Sequence, residues 1–110
     1  MLFGFMAVLL TMLVIVEATA VAPEGRITPA CLGLWNDEQT QAWKRIVDFV
    51  HGQTDAKIAI QIGHSGAKGS TNAPWDGAGA DRPLAGGNWP LLAASPVPYL
   101  AGEGDTPRAM

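Results

Sequence analysis

Apolar and polar positions divide the chain into a patterned first half and a punctuated second half. Leu13-Val-Ile-Val-Glu-Ala-Thr-Ala-Val21 is apolar and β-branched, which predicts a buried parallel strand running into its loop. Ala22-Pro-Glu-Gly-Arg-Ile-Thr-Pro29 reads as a turn, with Pro23 fixing φ and Gly25 permitting a positive φ. Cys31 to Trp35 continues the loop. Trp43, Ile46, Val47 and Val50 then recur at helical spacing and predict a helix whose apolar stripe packs on a sheet. Asn36 is placed to cap its first turn, Gln39 completes a capping-box pattern, and Asp37 and Glu38 suit the positive end of the dipole. Lys44, Arg45 and Asp48 point elsewhere, and Gly52 is placed to end the helix. Lys57 to Ile62 forms the next strand. The order strand, loop, helix, strand predicts one βαβ unit with a right-handed parallel crossover.

From Gly63 to Met110 the pattern predicts neither helix nor strand. Ser70-Thr-Asn-Ala-Pro-Trp75 and Gly86-Gly-Asn-Trp-Pro-Leu-Leu92 alternate turn formers with tryptophans, as in loops that pack by a few aromatic anchors on a larger body. So long a structureless segment is unusual inside a compact domain unless the loop is functional. No internal repeat is evident.

Composition narrows the function. The chain has 110 residues, enough for one small domain, with 48% apolar and 15% charged residues and a net charge of −3. An acidic chain without a basic stripe is not a nucleic-acid binder, and so apolar a chain is not a disordered acidic tail. The single cysteine, Cys31, excludes an internal disulfide and reads as a reduced, partly buried thiol in a cytoplasmic protein.

The amino end admits two readings. Met1-Leu-Phe-Gly-Phe-Met-Ala-Val-Leu-Leu10 resembles the core of a signal peptide, and Ala18-Thr-Ala20 fits a small-x-small cleavage site. Against this, no Lys or Arg precedes the apolar run, and the run is shorter than the roughly 20 residues that span a membrane. Cleavage after Ala20 would also cut the first strand from its own loop.

Candidate chemistry gathers around the second strand. Gln61 interrupts an otherwise apolar strand, where burying an amide is costly unless a ligand or neighbour exchanges hydrogen bonds with it. Near the carboxyl end of a strand it suggests a ligand site at the mouth of an α/β fold. His64 could serve as an acid/base group or as a partner for an anion. His51, at the helix end, reads as solvent-exposed. Gly63, Gly66 and Gly69 follow a strand but precede no helical pattern, so they do not make a phosphate loop. No cysteine pair or His/carboxylate cluster suggests a metal site.

Taken together, Val16-Glu-Ala-Thr-Ala-Val21, Pro23-Glu-Gly-Arg-Ile27, Leu34-Trp-Asn-Asp-Glu38 and Gln61-Ile-Gly-His-Ser-Gly-Ala67 resemble the old yellow enzyme family of FMN-dependent NAD(P)H oxidoreductases. The resemblance implies an α/β fold, a partial TIM (β/α)8 barrel with about one βαβ unit plus a long loop. Residues 1–12 form an unmatched apolar amino end, and residues 13–110 run from the second barrel strand to the loop after the third. A misplaced start codon or a frameshift would account for the unmatched end. The resemblance further implies FMN as cofactor, NAD(P)H as reductant and an electron-poor small molecule as acceptor. Gln61 then hydrogen-bonds the pyrimidine edge of the flavin, and Ala18 is the small residue that lets the backbone approach the ring. Glu17 and Thr19 receive no catalytic role; Glu17 reads as a partner for a nearby cation. His64 is structural near the flavin mouth, because the family's substrate-binding histidines lie on a later strand.

Ala67 stands where the common family form Gln-Leu-x-His-x-Gly-Arg has arginine, which puts any role of that arginine in doubt. His64-Ser-Gly-Ala-Lys-Gly-Ser-Thr71, Gly87-Asn-Trp-Pro-Leu-Leu-Ala-Ala-Ser-Pro96 and Pro107-Arg-Ala-Met110 are similar to the oxidoreductase part of the bifunctional salicylyl-CoA 5-hydroxylase/oxidoreductase group. A complete barrel takes roughly 250 residues. The resemblance therefore implies a fragment that folds poorly and turns over no substrate by itself, with phosphate binding, substrate histidines and barrel closure supplied elsewhere. A homo-oligomer is compatible with the full-length family. Two alternatives remain at this point: a small secreted or membrane-anchored binding protein built on the apolar amino end, and a non-enzymatic piece that survives by docking to a larger barrel.

Overall fold

The computed structural model describes residues 12–110. The signal-like reading of Met1 to Leu10 lies outside the described residues. Strand β1 (Leu13–Ala20) leads through a single 3-10 turn (Pro23–Gly25) and a loop into helix α1 (Asp37–Gln53), then strand β2 (Lys57–Gly63). β1 and β2 pair in parallel, so the expected βαβ unit is present.

The helix starts where the capping signals put it. Asn36 is extended, and its side-chain oxygen accepts from the Gln39 N–H at 2.8 Å. Gln39 returns the favour one residue early: its Oε1 accepts from the N–H of Trp35 at 2.8 Å, not from that of Asn36. Its far end differs from expectation. Gly52 lies within the last turn, and Thr54 closes the helix by donating both its N–H and its hydroxyl to the Val50 carbonyl, at 3.0 and 2.8 Å. A side chain that takes up a free carbonyl makes a glycine cap unnecessary here.

The expected apolar stripe splits in two. Trp43 and Val47 face Val16, Ile58 and Ile60 across a trough of ≈ 470 Å³ between helix and sheet. Ile46 turns instead toward Cys31, Leu32 and Gly33. No residue of α1 is fully buried, and Phe49 is 67% exposed. The stripe therefore lies against the sheet without closing a core over it.

Burial is sparse everywhere. Among the described residues the buried apolar side chains are Ala20, Ala56, Ala73, Leu91, Ala93 and Pro107, four of them alanine. The radius of gyration is 18.0 Å, against about 13 Å for a compact domain of this length. Leu13, Ile15 and Ile62 are all more than half exposed, and β1 and β2 form a sheet of two strands whose outer edges are unpaired among the described residues except where Ala20 bridges Gly33.

The second half is largely irregular, as its pattern predicts. It contains one 3-10 turn (Gly66–Lys68) and a short parallel pair, β3 (Leu92–Ala93) with β4 (Arg108–Ala109). Lys68 pairs with Asp81, and Arg82 with Glu103, both at the surface. The two tryptophans of this half behave differently. Trp89 is half-buried beneath the Arg26 guanidinium, 4.3 Å from its ring centre, whereas Trp75 is 76% exposed.

Candidate functional site

The register of β1 against β2 brings the two expected site residues together. Pairing runs evenly from Leu13↔Lys57 to Val16↔Ile60, then resumes at Thr19↔Ile62 and Ala20↔Gly63. Glu17 and Ala18 thus stand opposite the single residue Gln61, which is a β-bulge. Bulges re-aim side chains, and they concentrate beside active sites. Thr19, fully buried, stabilises this one by donating its hydroxyl to the Glu17 carbonyl at 2.9 Å. Glu17 makes no ion pair among the described residues, so its expected cation partner is not found there.

Gln61 is exposed. Desolvation cost, which makes it conspicuous in the sequence, does not act on it here, because none of the described residues covers the sheet face on which it lies. Its amide makes no hydrogen bond among the described residues and stays available to a ligand that offers both an acceptor and a donor.

Past the bulge the strands open onto a hollow of ≈ 140 Å³. Ala18, Thr19, Gly25, Cys31, Gly63 and His64 contribute to its lining. Gln61 is not part of that lining; it sits two residues before Gly63 on β2. The Cys31 thiol is partly buried, as expected, and its sulfur accepts from the Thr28 N–H at 3.3 Å. His51 is exposed at the end of α1, as read from the sequence.

One wall of the hollow is held by contacts that sequence reasoning missed. Three consecutive carbonyls, of Gly25, Arg26 and Ile27, accept hydrogen bonds from the loop after β2. Ser65 donates its N–H to Gly25 at 2.9 Å and its hydroxyl to Arg26 at 3.0 Å. Thr71 donates its N–H and its hydroxyl to Ile27, at 2.9 and 3.0 Å. Arg26 is fixed further by its Nε, which donates to the Pro23 carbonyl at 2.7 Å, and by Trp89 beneath the guanidinium. The only local hint of this clasp is a run of hydroxyl residues after a strand; its partners are about forty residues away and carry no motif that pairs them.

Gly25 itself differs from expectation. It does not adopt a positive φ. It is glycine because the His64 ring lies against it: a Cβ at this position would stand 2.9 Å from His64 Cδ2. The ring is held on its other side, where Nδ1 accepts the Gly66 N–H at 3.1 Å. Gly66 reaches that geometry with φ of +58°, a region that glycine enters without cost.

These features suit one edge of a flat ring better than a whole ligand, since the hollow is well below the roughly 300 Å³ of a small-molecule pocket. Small residues at Ala18, Gly25 and Gly63 leave the backbone approachable, and the free amide of Gln61 suits a pyrimidine edge. No group of three or more His, Cys, Asp or Glu side chains able to hold a metal occurs among the described residues. No described helix is long and apolar enough to cross a membrane.

Comparison with known proteins bears on the same stretch of chain. Residues 7–87 match the NADH:flavin oxidoreductase / NADH oxidase family, a match that begins ahead of Leu13. An NADH:flavin oxidoreductase of Gibberella zeae is 44% identical over 96 residues, which are 86% of this chain and 23% of that protein. An NADPH dehydrogenase of Listeria monocytogenes is 57% identical over 58 residues, 53% of this chain and 17% of that protein. One from Halalkalibacterium halodurans is 45% identical over 62 residues, 56% of this chain and 18% of the relative. The chain thus spans less than a quarter of the length of each of these relatives.

Proposed function

The chain belongs to the NADH:flavin oxidoreductase / NADH oxidase family, and from that premise we propose that it forms the pyrimidine-edge corner of the FMN site in an oxidoreductase of old yellow enzyme type. The observation that carries this reading is the bulge, which sets Ala18 and Gln61 opposite one another at the opening of a small-residue hollow. FMN, when bound, supplies the chemistry of taking hydride from NAD(P)H and passing it to an electron-poor acceptor. The chain's own residues bind and orient. Gln61 presents an amide that both donates and accepts, Ala18 keeps the approach open, and the clasp of Ser65 and Thr71 fixes the wall. Gln61 and Ala18 are binding residues; none of the described residues is assigned a proton-transfer role in the reaction.

Phosphate binding, substrate protonation and closure of a barrel are not provided by these elements, so the 110-residue chain by itself is an inactive oxidoreductase segment under this reading. The partial TIM barrel, a cytoplasmic location, and kinship with the oxidoreductase part of salicylyl-CoA 5-hydroxylase/oxidoreductase proteins belong to the same proposal. The tail motifs around Gly87-Asn-Trp-Pro and Pro107-Arg-Ala-Met110 support that kinship.

The test is a hybrid in which the matched 96 residues replace their counterpart in the Gibberella zeae relative. The hybrid is expected to bind FMN and oxidise NADH, with Gln61→Ala and Ala18→Leu each weakening FMN binding. A folded hybrid whose FMN affinity ignores both substitutions would remove Ala18 and Gln61 from the site.

A further inference from the structure

Resting on the flavin-edge reading, we infer that His64 is a ligand-binding residue, which donates its Nε2–H to an oxygen acceptor of the molecule seated in the hollow. Two glycines and one hydrogen bond support this role for an imidazole that is otherwise exposed to solvent. Because Nδ1 accepts the Gly66 N–H, the proton of the neutral ring resides on Nε2. The positive φ of Gly66 brings its N–H to that nitrogen. Gly25 lies against the other edge of the ring, with the position of its missing Cβ 2.9 Å from Cδ2 and 3.4 Å from Nε2. Gly25 and His64 both line the hollow that Ala18 opens. Nε2–H has no acceptor among the described residues, although Nδ1 is already committed. The acceptor is an oxygen, since a donor N–H aimed at a planar heterocycle finds carbonyl groups on its rim.

His51 and His64 are the two histidines of the chain, so the imidazole nitrogens give a signal with an internal control. We would record long-range proton–nitrogen spectra of the whole 15N-labelled chain during titration with FMN. The expected result is a His64 ring in the Nε2–H form before addition, then a selective change at His64 Nε2 together with the Ala18 amide, with His51 unmoved. A shift of the Ala18 amide without His64 overturns the inference and leaves the flavin-edge reading intact. If neither moves, both fall for this chain. The second measurement uses the hybrid barrel. His64→Phe is expected to weaken FMN binding about five-fold, the loss of one neutral hydrogen bond. His64→Gln, which can place a donor near the same point, is expected to recover most of it. Equal affinity of the phenylalanine and glutamine variants would mean that the ring acts by packing alone and would overturn the assignment.

Discussion

Replacing Ile15 by alanine tests whether the bare face of the β1–β2 sheet is built to be covered. Ile15 is paired with Ala59 in the middle of β1 and is 62% exposed. Fully burying an isoleucine side chain contributes about 1.5–3 kcal/mol, so the remaining buried third contributes about 0.5–1 kcal/mol in the chain as described. Ile15→Ala should therefore cost the 110-residue chain about 1 kcal/mol or less. In the hybrid barrel, where further elements pack on that face, the same substitution should cost about 2–5 kcal/mol, the range for a large-to-small change in a core. Urea unfolding followed by circular dichroism measures both, and the two differ by several-fold if the face is an interior one. The chain alone should bind a hydrophobic dye that the hybrid does not, with binding reduced by Ile15→Ala. Equal costs in the two contexts would refute the reasoning, because Ile15 would then be as exposed in the barrel as in the chain.

Three further outcomes follow from the local geometry. Asn36→Ala should lower helix content and cost about 1 kcal/mol, while Asn36→Ser retains the cap; far-ultraviolet circular dichroism on both variants distinguishes loss of the cap from loss of the residue. Gly25→Ala should leave stability within about 1 kcal/mol, since lower unfolded-state entropy offsets the hydrogen bond lost at His64, yet it should release the ring from its Nε2–H form in the nitrogen spectrum. The chain alone should oxidise NAD(P)H no faster than free FMN does, and turnover above that background would overturn its assignment as an inactive segment.

What the sequence made legible was local. The helix start is written in Asn36, Asp37, Glu38 and Gln39, because a cap needs only neighbours within one turn. The two strands are written in their β-branched runs, and Ala18 and Gln61 stand together because the bulge falls where the motif residues lie. Burial was not legible. Gln61 reads as a buried amide and Ile46 as core only if a second layer covers them, and pattern alone does not reveal whether that layer is in the same chain. Gly25 and Gly52 were recognised as special for reasons that proved wrong. The first is set by a side chain that lies beyond the whole helix, and the second was displaced by the hydroxyl of Thr54. The clasp from Ser65 and Thr71 was invisible, since each donor meets a carbonyl about forty residues distant and neither sequence segment names the other.

That clasp also sets the order in which the segment can acquire its shape. Pairing Leu13 with Lys57 already closes a long loop of chain, and the entropy of doing so grows only slowly with length. Once the strands meet, Arg26 and Ser65 are neighbours at almost no added closure cost, so the clasp follows the sheet instead of nucleating it. The wall of the hollow is then expected to form late and to open early. Variants at Ser65 or Thr71 should change the unfolding rate much more than the folding rate, which makes the hollow a local reporter of late folding events.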